Sequence, residues 1–268
     1  MSYKKIEKFN SHDPRNFKKI NAWVFDLDNT LYQVTQKLLK NIDEHMGAFV
    51  ANYLNTSREE AHKIQKTYFQ KYGLTLRGLM IHHGLDPEQF FKEMKPMDLN
   101  EVPPNPALGK AISHLAGRKF IYTNASKKHS KLVLERLGMG NVFEGIFDIK
   151  AANYIPKPAI ESYELLCKKH NFDSQSAVMI DDIARNLEPA ANLGMTTVWK
   201  KTDAEWAKNT LEEHYIDHTI GDLFDWVKTI SANKLSVYCR AATICPRAIS
   251  RRVESSILIT FPCVPQTE

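Results

Sequence analysis

No stretch of this 268-residue chain approaches the roughly 20 consecutive apolar residues that a bilayer-spanning helix needs. The first ten residues, "MSYKKIEKFN", are basic but carry no apolar core segment. No secretory signal is expected, and the chain reads as cytoplasmic with no membrane partner. Cysteine is scarce, at four residues, and none stands in C-x-x-C spacing. That spacing excludes a thiolate zinc site and a dithiol redox motif. No internal repeat is visible. A strong charge bias is missing too. The formal net charge is +5, and from residue 229 onward five basic residues face two acidic ones, which places +3 in the tail and +2 in the rest. A body so nearly neutral gives no electrostatic footprint for a nucleic-acid polymer.

What is present is an ordinary globular composition, 43% hydrophobic and 25% charged. It is long enough for one sizeable core with an insertion. "NAWVF" (21–25) is a short apolar run that predicts a buried strand. Leu38, Leu39, Ile42, Met46, Phe49, Val50 and Tyr53 then recur at helical spacing. "SREE" (57–60) predicts a capped helix start, Gly73 a helix stop, and "DPEQFF" (86–91) a further helix with Asp86 as cap and Pro87 in its first turn. Residues 33–100 contain no strand signal.

"VPPNP" (102–106) marks a boundary, after which strand and helix patterns alternate. Strands are expected at 119–123, 146–150, 177–180 and 196–199, with a last short strand and helix within 217–227. Helices are expected at 126–138, at 157–170 with Pro158 at its first position, and at 183–194, where Pro189 implies an irregular first turn or a kink. Alternation of this kind predicts a Rossmann-like α/β core, a parallel sheet covered on both faces. An all-helical cap is inserted after its first strand. The expected division is a core of 1–32 and 101–230, a cap of 33–100, and a disordered or non-native tail of 231–268.

The chemistry-bearing residues stand at the expected strand ends. In "VFDLDNTLY" (24–32), Asp26 and Asp28 are two apart, so in extended chain both carboxylates face one site. Two anions that close need a shared cation or a proton, and a hard divalent ion such as Mg²⁺ suits oxygen ligands. Thr30 is placed to cap the turn that follows. "MIDDIARN" (179–186) supplies Asp181 and Asp182 after another apolar strand. "YTNAS" (122–126) ends a strand with Thr123 and Asn124 ahead of a helix, a ready anion site. Lys157, in "IPKPAI", could neutralise a phosphate or hold an aspartate ionised.

Four such clusters in this order resemble the haloacid-dehalogenase-like hydrolase superfamily: FDLDNTLY, YTN, KP and the DD of MIDD match its four motifs over roughly residues 20–200. "YGLTLRGLM" (72–80), "RKFIYTNASKKH" (118–129) and "DDIARNLEPA" (181–190) are similar to the pyrimidine 5′-nucleotidase branch, which carries a small helical cap after the first motif.

The resemblance implies a Mg²⁺-dependent phosphomonoesterase acting on a small-molecule phosphate ester, a pyrimidine nucleoside 5′-monophosphate first, through an aspartyl-phosphate. It makes Asp26 the nucleophile and Asp28 the acid and then the base. Thr123 and the backbone at Asn124 bind phosphoryl oxygens, and Lys157 offsets charge. Asp26, the Asp28 backbone carbonyl and Asp181 hold the metal, with Asp182 outside them or bound through water. Where many relatives carry an acid five residues past the first aspartate of the last motif, this chain has Asn186.

The alternatives are a phosphatase of a sugar phosphate or of pyridoxal phosphate, and a non-catalytic receiver-like or metabolite-binding relative. A haloacid dehalogenase is disfavoured, because those enzymes lack the acid that Asp28 supplies. Arg77, beside Gly78 in a break between helices, could reach a substrate's base or sugar, or be a surface arginine. His82 and His83 point about 100° apart on a helix and are not expected to share a ligand. The lysines of "SKKHSK" (126–131) read as a solvated helix face.

Overall fold

The computed structural model describes residues 17, 19–94, 97–202 and 214–231. The expectations for residues 1–16 and for the tail from 232 onward fall outside them.

Six parallel strands make one sheet, β1 (Ala22–Phe25), β2 (Arg118–Tyr122), β3 (Gly145–Phe147), β4 (Ala177–Asp181), β5 (Thr196–Lys200) and β6 (His218–Ile220), in the order β3-β2-β1-β4-β5-β6. Side chains alternate across a strand, and here the alternation sorts residues into two apolar layers. Trp23, Phe25, Ile121, Val178 and Ile180 join one cluster. It also takes in Leu108 and Ile112 of helix α5 (Pro106–Ser113), Val133 and Leu134 of α6 (Lys127–Arg136), and Leu223 and Val227 of helical residues 223–231. Ala22, Val24, Phe120, Tyr122, Ala177 and Met179 join the other, beneath α7 (Ile160–His170) and α8 (Leu187–Asn192). The expected α/β, Rossmann-like parallel sheet is therefore present.

The chain leaves β1 through helices α1 (Gln36–Leu54), α2 (Arg58–Tyr72), α3 (Thr75–His83) and α4 (Pro87–Glu93) before returning to the sheet. Thr35, Ser57 and Asp86 cap three of these by accepting backbone N–H bonds. Phe49, Val50, Ala61, Leu76, Leu79, Leu85 and Phe90 give this segment an apolar cluster of its own.

Three local expectations are corrected. Helix α5 was not anticipated, although Asn105 caps it and Pro106 opens it. Pro158 does not start α7; it precedes the Ala159 cap, in a cis peptide with Lys157. The turn after Asp28 is capped by Asn29, at φ 62°, whose Oδ1 accepts from Val34 N–H at 2.8 Å. The Thr30 hydroxyl is buried without a partner. Pro189 follows a 3-10 turn (Ala184–Asn186) in the first turn of α8, as its place in the sequence implied.

Candidate active site

The chain crosses from β1 to β2 and β3 on one side of the sheet and to β4, β5 and β6 on the other. The switch point lies at β1, and open α/β sheets bind ligands outside the carboxyl ends of the strands at such a point. Register fixes what lines it. Phe25 is level with Ile180 of β4 and Ile121 of β2. One residue further on, Asp26 therefore lies beside Asp181, with Tyr122 on its other flank. Their alternation is that of Val24, Met179 and Phe120, so they face the α7–α8 side of the sheet.

Lys157 enters from that side, out of the loop before α7. Its Nζ donates to Asp26 Oδ1 at 2.7 Å, to Asp181 Oδ2 at 2.6 Å and to the Tyr122 carbonyl at 3.2 Å. Asn124 holds the lysine backbone: its Oδ1 accepts from Lys157 N–H at 2.9 Å, and its Nδ2 donates to the Lys157 carbonyl at 3.3 Å. The Asn124 side chain is thus engaged with protein. Thr123 is buried, and its hydroxyl accepts from Ala125 N–H at 3.0 Å.

Asp26, Asp181 and Asp182 are all buried and offer oxygens within 4.8 Å of one another. Burial raises Asp26 to about 7, opposed by the charge of Lys157 and reinforced by Asp181 and Asp28. Burial also raises Asp182, to about 9, with Asp26 and Asp181 adding to it. One lysine does not balance three buried carboxylates. Asp182 Oδ2 is buried with no hydrogen-bond partner. An all-oxygen set with an orphaned carboxylate oxygen fits a hard divalent cation. Asp181 is more heavily committed: Oδ1 accepts from Ile183 N–H at 2.9 Å and Asn186 Nδ2 at 3.0 Å, and Oδ2 from Lys157. Asn186, standing where many relatives carry an acid, is a donor to Asp181.

Asp28 stands apart from these three. Its Oδ1 accepts from the Tyr32 hydroxyl at 2.5 Å and lies 3.3 Å from His129 Nε2. Burial alone would raise its pKa. The hydrogen bond and charge of His129, the Tyr32 bond and the Lys157 charge outweigh that and lower it. His129 moves the opposite way: burial would lower it, and the bond to Asp28 and its charge raise it.

The helical segment touches this site. At Gly73, φ +77°, an added Cβ would lie 2.2 Å from the Lys157 carbonyl oxygen. Arg185 donates to the Gln70 carbonyl at 3.4 Å and sits 5.5 Å from the Phe69 ring centroid. Glu88 of α4 accepts from Lys150 at 2.6 Å and from the Tyr154 hydroxyl. Arg77 lies on α3, partly buried, and no bond links its side chain to the strand-end cluster. His82 and His83 are exposed and pair with Tyr72 and Tyr68.

Sequence reasoning passed over Tyr32, His129, Lys200 and Arg185. Lys200, at the end of β5, donates to the Asn29 carbonyl at 2.7 Å and so steadies the turn that carries Asp28. Tyr32 closes the motif of residues 24–32, four residues past Asp28. His129 was hidden among the lysines of "SKKHSK", of which Lys127, Lys128 and Lys131 are indeed exposed. Its signal is its place in the first turn of the helix that follows Thr123 and Asn124.

Three buried carboxylates at the switch point, a lysine bridging two of them and a separate fourth carboxylate make up the site. The chain matches haloacid dehalogenase-like hydrolases over residues 20–194, and it belongs to that family. Its members typically use a divalent metal. The chain is 26% identical over 200 residues to "Phosphate metabolism protein 8" of Saccharomyces cerevisiae, a match covering 68% of this chain. It spans 61% of the length of that curated relative. An L-2-haloacid dehalogenase from Xanthobacter autotrophicus, with chloropropionic acid covalently bound, is similar at 15% identity and TM-score 0.51, over 79% of this chain and 98% of that one. A HAD phosphatase from Thermococcus onnurineus is similar at 18% identity and TM-score 0.51, over 78% and 97%. At these identities the likeness shows the fold, which dehalogenase and phosphatase share. No helix among the described residues is long and apolar enough to cross a membrane.

Proposed function

We propose that this chain is a cytoplasmic, Mg²⁺-dependent phosphomonoesterase. Its substrate is a small phosphate ester, a pyrimidine nucleoside 5′-monophosphate first, and its intermediate an aspartyl-phosphate. The observation that carries this reading is the division of labour between the two aspartates of the first motif. Asp26 sits among Lys157, Asp181 and Asp182. Asp28 is held outside that group by Tyr32 and His129. A phosphatase needs a nucleophile and a separate proton carrier; a haloacid dehalogenase lacks the second.

Asp26 attacks phosphorus as the bond to the leaving oxygen breaks, and Asp28 gives that oxygen a proton. Asp28 then takes a proton from the water that attacks the phosphoryl group on Asp26, and phosphate leaves. In the free site Asp28 favours the ionised form. A phosphate dianion beside it adds negative charge and favours the acid. Thr123 and the backbone at 124 contact phosphoryl oxygens, and Lys157 keeps Asp26 aimed and offsets its charge. A bound cation would supply positive charge to the phosphoryl oxygens. Asp26 and Asp182 would be its side-chain ligands. The resemblance implies Asp181 for that place, but the bonds from Ile183, Asn186 and Lys157 commit both Asp181 oxygens and favour Asp182. Helices α1–α4 act as the cap, a reading supported by the approach of Gly73 to the Lys157 carbonyl and by the bond from Arg185, in the turn after Asp181, to the Gln70 carbonyl of α2. The phosphate-linked name of the yeast relative supports the phosphate reading.

The test is phosphate release with Mg²⁺ over a panel of nucleotides, sugar phosphates, pyridoxal phosphate and an aryl phosphate. Hydrolysis should appear, and Asp26→Asn and Asp28→Asn should each lower it by on the order of 10²-fold or more. A protein that releases phosphate from nothing in the panel sinks the reading.

A further inference from the structure

Two donors of separate origin converge on one oxygen of Asp28. Tyr32, 7% exposed, closes a backbone bridge to Asp28 and reaches Oδ1 with its hydroxyl. His129 is the third residue of α6, its own N–H bound to the Ser126 cap at 3.2 Å, and it points Nε2 at the same oxygen. The imidazole is 15% exposed and the Asp28 side chain 34%. Among the described residues no donor is bonded to Oδ2. A hydroxyl and an imidazole N–H together fill the accepting positions of Oδ1, and neutral His129 suffices for this if its proton is on Nε2. The proton of the acid form must then sit on Oδ2. A carboxyl group without such donors turns in a broad torsional well and presents its proton in many directions.

We propose that Tyr32 and His129 are positioning residues that fix the Asp28 carboxyl plane and hold its transferable proton on Oδ2, the oxygen that meets the leaving group. This rests on the acid–base role of Asp28 given above. In the step concerned, the bond from Asp26 to phosphorus forms and the bond from phosphorus to the leaving oxygen breaks. The Oδ2 proton passes to that oxygen, and Asp28 is left as the carboxylate, still held through Oδ1.

A leaving group that departs readily as an anion needs little of this proton, and a basic one needs all of it. The experiment therefore compares kcat/KM, which reports phosphoryl transfer to Asp26, on phenyl phosphate and on 2,4-dinitrophenyl phosphate. Tyr32→Phe, which deletes only the hydroxyl, and His129→Ala are each expected to lower the phenyl phosphate value by about 10- to 100-fold. The dinitrophenyl value should change by less than about threefold. His129→Gln, which restores an N–H donor, should recover most of the loss. Melting temperatures of all three separate this from unfolding. Equal losses on both esters, or a glutamine variant no better than alanine, overturn the positioning role while the phosphatase reading stands. A wild-type protein inactive on both esters removes the two together.

Discussion

Replacing Lys157 by methionine keeps the length of the side chain and removes its charge. In the folded protein Lys157 is 2% exposed and makes charge-assisted bonds to Asp26 and Asp181 at 2.7 and 2.6 Å. Hydrogen bonds to charged groups contribute about 1.5–3 kcal/mol each, so two put the loss at about 3–6 kcal/mol. Breaking a buried pair from one side typically costs about 3–5 kcal/mol, because the remaining charge stays desolvated. Such a loss is a large fraction of the about 5–15 kcal/mol that folds a domain. The pH dependence follows from the partners. Burial and the neighbouring carboxylates already raise the pKa of Asp26, against the charge of Lys157. Without the lysine, Asp26 folds most easily protonated. The deficit of Lys157→Met should therefore be greatest near pH 8 and shrink toward pH 5, where the Asp26 carboxyl takes up a proton on folding. Lys157 itself is raised above its ordinary 10.5, so its own contribution is constant across that range. Urea unfolding of both proteins in a chelator at pH 5 and pH 8, with unchanged slopes, measures this. A variant as stable as wild type at pH 8 would refute the argument that Lys157 carries the buried charge.

Divalent cation and pH should act together. Asp26 and Asp182 are raised above the ordinary 3.8, to about 7 and about 9. The stability they give is present in full below pH 4 and is lost as pH rises through 7 and then 9. In a chelator the melting temperature should fall from pH 5 to pH 9, and Mg²⁺ should raise it most at the alkaline end; a flat or inverted slope excludes this. Gly73→Ala should cost about 1–3 kcal/mol and most of the activity, since its Cβ would press on the Lys157 carbonyl. Gly84→Ala is the control, with φ +65° but nothing within 4 Å; it should lose about 1 kcal/mol and keep its activity. Glu88→Gln weakens an exposed ion pair with Lys150 and should leave the midpoint of a denaturant titration unchanged within error.

The strands were legible because each is a short apolar run ending in residues that a core does not accept without a partner. Asp26, Thr123 and Asp181 could be named on that ground, and Lys157 because its place before a helix follows the same order. Other features escaped. Helix α5 is eight residues with its cap inside a proline-rich stretch, so it read as a boundary. His129 carries no mark that separates it from its lysine neighbours, and its partner lies 101 residues away. Lys200 meets Asn29 across 171 residues. Arg77 stands out in the sequence for its place beside a helix break, and among the described residues no bond joins its side chain to the cluster.

By itself the sequence determined the kind of sheet, the strand ends at which chemistry stands and the residue types gathered there, because local pattern and charge burial are written residue by residue. Tertiary structure decided the pairings. The level register of β1 and β4 makes Asp26 and Asp181 neighbours, and the loop before α7 brings one lysine to both. The turn after β4 and Lys157 between them occupy the two oxygens of Asp181, while Asp182 keeps a bare one. The first turn of α6 delivers His129 to Asp28. These are contacts between distant segments, set by how twisted layers pack, and no local pattern encodes them.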